Sequence, residues 1–145
     1  VKYPDNIKGI FALATPLKIF LRPEAAIYTV KSFFPKLFED DERVKMYASS
    51  HSVRLTAKPW VYIDWIPRYL ELFSESAKAA DTICKVKAPS WIYMSEKDEL
   101  VSLKSIERIP KRRNFKTFIL KDSAHFIYEK SDMEFLKSQF KAFIN

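Results

Sequence analysis

The chain has 145 residues and one glycine, Gly9, where an average content of about 7% would supply roughly ten; this excludes a P-loop, a G-x-G-x-x-G dinucleotide site, a G-x-x-G clamp on RNA and a G-x-S-x-G nucleophile elbow, each of which needs two glycines or more. The net charge of +7 is spread along the chain, +3 in residues 1–80 (12 basic, 9 acidic) and +4 in residues 81–145 (13 basic, 9 acidic), whereas a nucleic-acid binder gathers its basic residues on one face. An apolar share of 48% and a charged share of 30% suit one compact globular domain burying roughly 68% of its unfolded surface, and no apolar run approaches a transmembrane helix, so no membrane span is expected.

The amino-terminal Val1-Lys2-Tyr3-Pro4-Asp5 lacks the pattern of a signal peptide. A valine in the place of methionine leads to the expectation of a processed chain or a piece of a longer reading frame. Residues 7–14 form a short apolar run that reads as a buried strand, ending at Thr15-Pro16 beside a potential site. Helical periodicity then rules to about residue 80. Pro23 suits a first turn, with Ile27, Val30 and Phe34 on one stripe and Pro35 as the break. The acidic start Glu39-Asp40-Asp41-Glu42 opens a second helix running to about Ser49. His51, flanked by Ser49, Ser50 and Ser52, reads as structural or exposed. The longest helix is expected over residues 59–80, kinked at Pro67, with Tyr62, Trp65, Tyr69, Phe73 and Ala77 on its stripe. The aromatic residues Phe33, Phe34, Trp60, Trp65, Tyr69 and Phe73 read first as core, with the lining of an acyl pocket as the second reading.

Cys84 is the only cysteine and reads as a small buried residue. It cannot form an internal disulfide and is too few for a thiolate zinc site, which fits a reducing, cytoplasmic setting. Residues 91–94 and 115–120 are further buried strands, joined through a helix near residues 102–109 that Pro110 ends; the unit has the length of a parallel crossover. The cluster Lys111-Arg112-Arg113 with Lys116 reads as a solvated turn, and no nucleic-acid partner is expected. The last helix covers residues 131–143, with Ser131 as N-cap, Glu134 closing a capping box, and Met133, Leu136, Phe140 and Phe143 as the apolar face. The class is α/β: three parallel strands with flanking helices and a helical insertion. Residues 7–14 then form an edge with only Lys8 as a charged gatekeeper, and such an edge templates pairing with another chain.

In open parallel sheets, ligands bind beyond the carboxyl ends of the strands. Ser95-Glu96-Lys97-Asp98-Glu99-Leu100-Val101 follows the second strand, and Lys121-Asp122-Ser123-Ala124-His125-Phe126 follows the third. Adjacent strands lie about 4.8 Å apart, so Asp98 and His125 are placed to hydrogen-bond. Such a pair fixes the imidazole tautomer and stabilises the imidazolium formed when histidine takes a proton. Glu96 and Glu99 are expected to be exposed.

Residues 12–16, residues 83–101 around Asp98, and Asp122-Ser123-Ala124-His125-Phe126 with the final helix together resemble the C-terminal half of an α/β-hydrolase, similar to small bacterial carboxylesterases and monoacylglycerol lipases. The order of acid before histidine matches that family. The resemblance implies a partial α/β-hydrolase fold: a core strand over 1–16, a helical cap over 17–82, and a C-terminal core segment over 83–145. It implies Asp98 and His125 as the catalytic acid and base, a small ester or acyl group as ligand, and neither cofactor nor metal. Ser95 and Ala124 stand where family members usually carry glycine. The nucleophilic serine and the oxyanion-hole loop would lie in an upstream half that this chain does not contain, so the chain alone is expected to be inactive. The exposed first strand would be covered by that complementary half or by self-association. The alternative reading is a non-catalytic, oligomeric binding or scaffold module.

Overall fold

A computed structural model describes residues 6–18, 23–32, 34–50, 63 and 65–145. His51, Ser52, Phe33, Trp60 and Tyr62 lie outside the described residues. Three strands, β1 (Ile10–Leu13), β2 (Ser90–Ser95) and β3 (Phe115–Leu120), form a parallel sheet in the order β1-β2-β3. The register pairs Ile10 with Ser90 and Ser90 with Phe115, ending with Leu13 opposite Tyr93 and Ser95 opposite Leu120. The expected strand at 115–120 is found over those residues. The first strand is shorter than the expected 7–14 and is an edge, as its position in the chain implied.

Alternation along β2 divides the core into two layers. Ile92 and Met94 point to one side and pack with Leu17, Val101 and Ile109. Tyr93 points to the other, where it joins Leu120 and Leu136, with Phe11, Trp91 and Phe118 at the margin. Tyr93 and Phe118 stack at 4.6 Å between ring centroids, and Phe11 lies 4.7 Å from Tyr93. The final helix, α4 (Lys130–Ile144), covers this side: Leu136 is buried, while Phe140 and Phe143 meet Phe11 edge-on. Gly9 belongs to the same packing. A Cβ at this position would lie 2.6 Å from Cζ of Phe143, so the glycine serves close approach and not a positive φ.

The insertion contains α1 (Pro23–Ser32), a 3₁₀ turn (Pro35–Phe38), α2 (Glu42–Ser50) and α3 (Trp65–Thr82). Asp41 caps α2, its Oδ1 accepting from the backbone N–H groups of Arg43 and Val44 at 3.1 and 3.3 Å. Helix α1 packs on α2 through Tyr28 and Lys31, so the expected stripe Ile27, Val30 and Phe34 faces outward. Helix α3 shows the same reversal. Tyr69 and Phe73 are exposed, and contact with the sheet runs instead through Ser76, whose hydroxyl donates to the Pro16 carbonyl, and through Ala80. Pro67 lies in the first turn of α3, where a missing N–H breaks no helix bond, so no mid-helix kink is required.

The helix expected near residues 102–109 is found as a 3₁₀ helix, Leu103–Arg108, capped by the Ser102 side chain, which accepts from Lys104 N–H at 3.1 Å. Two other expectations are corrected. Helix α4 starts from Glu129 without a side-chain cap bond, so Ser131 and Glu134 do not form the expected box. Cys84 is exposed, because it sits in a 3₁₀ turn, Ile83–Lys85, that directs Ile83 and not the thiol to the core. In the basic cluster, Arg112 donates to the Cys84 carbonyl at 2.8 Å and Lys116 lies over the Trp91 ring. Among the described residues no helix is long and apolar enough to cross a membrane.

Candidate functional site

Strands β2 and β3 end side by side, and the N–H of Glu96 continues their pairing by donating to the Leu120 carbonyl at 2.8 Å. The chain then turns at once around Asp98. Its Oδ1 accepts from the N–H groups of Leu100 and Val101 at 2.8 and 2.7 Å, which closes a tight turn and aims the carboxylate. Asp98 is only 2% exposed. A carboxylate that far from water needs a partner of opposite or acquirable charge, and His125 supplies it: Nδ1 lies 2.9 Å from Oδ2 and 3.1 Å from Oδ1.

An ionised carboxylate only accepts hydrogen bonds, so Nδ1 donates and Nε2 is left as the basic nitrogen of neutral His125. Two opposing effects act on the imidazole. Burial, the larger single influence, disfavours its charged form; the hydrogen bond to Asp98 and the charges of Asp98 and Glu99 together outweigh it and raise the pKa above the ordinary 6.5. The arrangement can accept a proton at Nε2 and stabilise the resulting imidazolium, the work of a general base.

The histidine is held by a second set of contacts that the sequence motifs did not reveal. Asp132, in the first turn of α4, accepts at Oδ2 from the N–H groups of Asp122 and Ser123 and from the Ser123 hydroxyl, at 3.2, 3.0 and 2.7 Å. Ser123 is fully buried and its hydroxyl in turn accepts the N–H of Glu129 at 3.2 Å. The serine nearest His125 in sequence is thus engaged in tying the loop to α4. The available signal was Asp132 itself, an acidic residue at a helix start. Tyr128, further along the same loop, packs against the layer of Tyr93, Leu120 and Leu136. Burial raises its phenol pKa, as does the charge of Asp98, while a hydrogen bond with Ser95 opposes them. Ser95 and Ala124, the two positions where the family resemblance implied glycine, are buried and have no positive φ, so neither backbone is strained.

Of the residues expected near the site, Asp98 and His125 are brought together and Glu96 is exposed. Glu99 is not: it is half-buried, because its carboxylate bonds to Tyr47 of α2 and to the N–H of His125. Thr15 and Pro16 bond to Leu17 and to Ser76 of α3. Lys97 and Asp122 form an exposed ion pair at 3.0 Å between the two loops, a kind that adds little stability. Among the described residues no group of three or more His, Cys, Asp and Glu side chains is gathered to hold a metal ion. Neither protein-family models nor curated proteins give a match to this chain.

Proposed function

We propose that this chain is the C-terminal portion of a serine carboxylesterase- or lipase-like α/β-hydrolase, contributing the acid Asp98, the base His125 and a helical cap over 17–82. The observation that carries this reading is the Asp98–His125 hydrogen bond at the carboxyl ends of adjacent parallel strands. In this reading His125 Nε2 takes the proton of a serine hydroxyl as that oxygen attacks an ester carbonyl, then returns it to the departing alcohol. Asp98 keeps the tautomer and stabilises the imidazolium without itself being protonated. The serine and its oxyanion donors belong to a complementary N-terminal half, whose last strand would pair with β1. Loss of oxyanion donors alone costs about 10²–10³ in rate, so this chain by itself is expected neither to hydrolyse small esters nor to react with a fluorophosphonate. Stoichiometric labelling by that reagent would refute the assignment of the nucleophile. So would an upstream coding sequence lacking G-x-S-x-G about 15–25 residues before Val1, the span of an elbow and its helix.

A second reading, an oligomeric binding or scaffold module, is favoured by one observation: among the described residues β1 is an open sheet edge, and the α3 face bearing Ile66, Tyr69, Leu70 and Phe73 is exposed. A monodisperse monomer at high concentration opposes the module; because self-association would also cover the edge of the hydrolase portion, the coding sequence upstream of Val1 separates the two, a G-x-S-x-G there supporting the hydrolase.

A further inference from the structure

Tyr47 lies far from the strand ends in sequence, yet its hydroxyl donates to Glu99 Oε1 at 2.7 Å. The other oxygen of that carboxylate accepts the backbone N–H of His125 at 3.3 Å. Glu99 directly follows Asp98, so two successive carboxylates grip one histidine: Asp98 the imidazole, Glu99 the main chain. The aromatic contacts follow the same route. The Tyr47 ring meets Phe126 edge-on at 5.5 Å, and Phe126 in turn meets the His125 ring edge-on at 4.7 Å. Tyr47 is 4% exposed. Burial drives its phenol pKa well above the ordinary range, and the Glu99 bond and the charges of Glu99 and Asp98 add to this, so the hydroxyl remains a donor.

None of these contacts is needed to make α2 a helix, since Asp41 caps it locally. Their effect is on the histidine. Were α2 to shift outward, Glu99 would lose its phenol donor and the carboxylate would be free to turn to water. The His125 N–H would then lose its acceptor, and the imidazole would lose part of the negative field that favours its protonation. The Tyr47–Glu99 bond at 2.7 Å has the short length of a charge-assisted hydrogen bond, about twice as strong as a neutral one, while the His125 N–H bond at 3.3 Å is longer and weaker, so the histidine end of the linkage is the more easily lost.

We propose that Glu99 and Tyr47 are positioning residues that couple the seating of helix α2 to the placement of His125. The role rests on the reading of Asp98 and His125 as a functional pair.

The test follows the titration of the His125 ring and the hydrogen exchange of its amide by NMR, in a His51→Gln background that leaves one imidazole. Among the described residues the charged groups acting on that ring are Asp98 and Glu99 from the acid loop, while Tyr47 from α2 bonds to Glu99 and the charge of Asp98 also reaches Tyr128. Tyr47→Phe keeps the ring packing and removes only the donor; the His125 amide is expected to exchange about tenfold faster relative to the core amide of Met94, the scale of one lost hydrogen bond. Glu99→Gln keeps an oxygen for that amide and removes the charge, so the ring midpoint is expected to fall while the amide stays protected. Asp98→Asn is the separate control for the pair. If both Tyr47→Phe and Glu99→Gln leave the His125 signals at their original values while Asp98→Asn shifts the midpoint, the positioning role is overturned and the pair stands. If Asp98→Asn leaves the midpoint unmoved, the pair falls and the positioning role with it.

Discussion

Asp98 holds its carboxylate in a nearly dry position by dividing it between two backbone donors and one imidazole. Removing one partner of such a buried pair is costly, about 3–5 kcal/mol, because the remaining charge is left uncompensated. The linkage to pH has a definite sign. His125 has a higher pKa folded than unfolded, so the folded state binds more protons between about 6.5 and the folded midpoint. Its stabilisation is complete below about 6.5 and is lost as pH rises through the folded midpoint. Thermal unfolding across this range is expected to show stability falling with rising pH, and His125→Gln is expected to flatten that slope. Tyr93 presents the opposite case. It is 1% exposed, its hydroxyl is buried without a hydrogen-bond partner among the described residues, and burial pushes the phenol pKa up to about 12. Tyr93→Phe keeps the stack on Phe118 and removes the unpaired group, so denaturant unfolding should show a gain of about 1 kcal/mol; a loss of stability would mean that the hydroxyl has a partner.

Several elements are fixed at their ends by single side chains that make from one to three bonds. Asp41 starts α2, Ser102 starts the 3₁₀ turn before β3, and Asp132 in the first turn of α4 gathers three donors from the histidine loop. Asp132→Ala is expected to destabilise by about 2–3 kcal/mol, since it strips the acceptor from buried Ser123 and from two backbone groups. Asp132→Asn retains one acceptor oxygen and should recover most of that loss. Urea unfolding of the two variants measures the difference. Ala14, which ends β1 with φ 48°, is the one non-glycine residue with a positive φ among those described. That conformation costs an L-residue about 1–2 kcal/mol, and the Ala14 N–H bond to the Tyr93 carbonyl at 2.8 Å helps to hold it.

At the scale of the whole molecule, the sheet has a covered centre and an open margin. Strand β2 is buried from Ile92 to Ser95, while Leu13 at the end of β1 remains 45% exposed and α3 presents Ile66, Leu70 and Leu72 outward. Among the described residues β1 has no partner on its outer side, and an edge of that kind can template pairing with another chain. Leu13→Lys adds a second gatekeeper beside Lys8. If β1 pairs with another chain, this change should lower the sedimenting mass without altering the thermal unfolding of the core; an unchanged assembly would place the contact elsewhere, with α3 the next surface to test.

Much of this architecture was legible in the sequence. Short apolar runs defined β2 and β3, and the position of residues 7–14 implied an edge. Asp98 and His125 could be paired from their places after adjacent strands, because strand spacing and parallel order are regular enough to bring consecutive strand ends together. The tertiary structure decided what local pattern could not. Periodicity identified apolar stripes on α1 and α3, but which face is covered depends on what packs there, and those stripes face outward. The bond from Tyr47 to Glu99 joins residues 52 positions apart, and nothing in either segment's own composition specifies the other. Ser123 and Asp132 likewise meet only because the loop folds back on α4. Local chemistry selected the residue types and the strands; long-range packing assigned their partners, since a hydrogen bond's donor and acceptor are fixed by position in space and not by spacing along the chain.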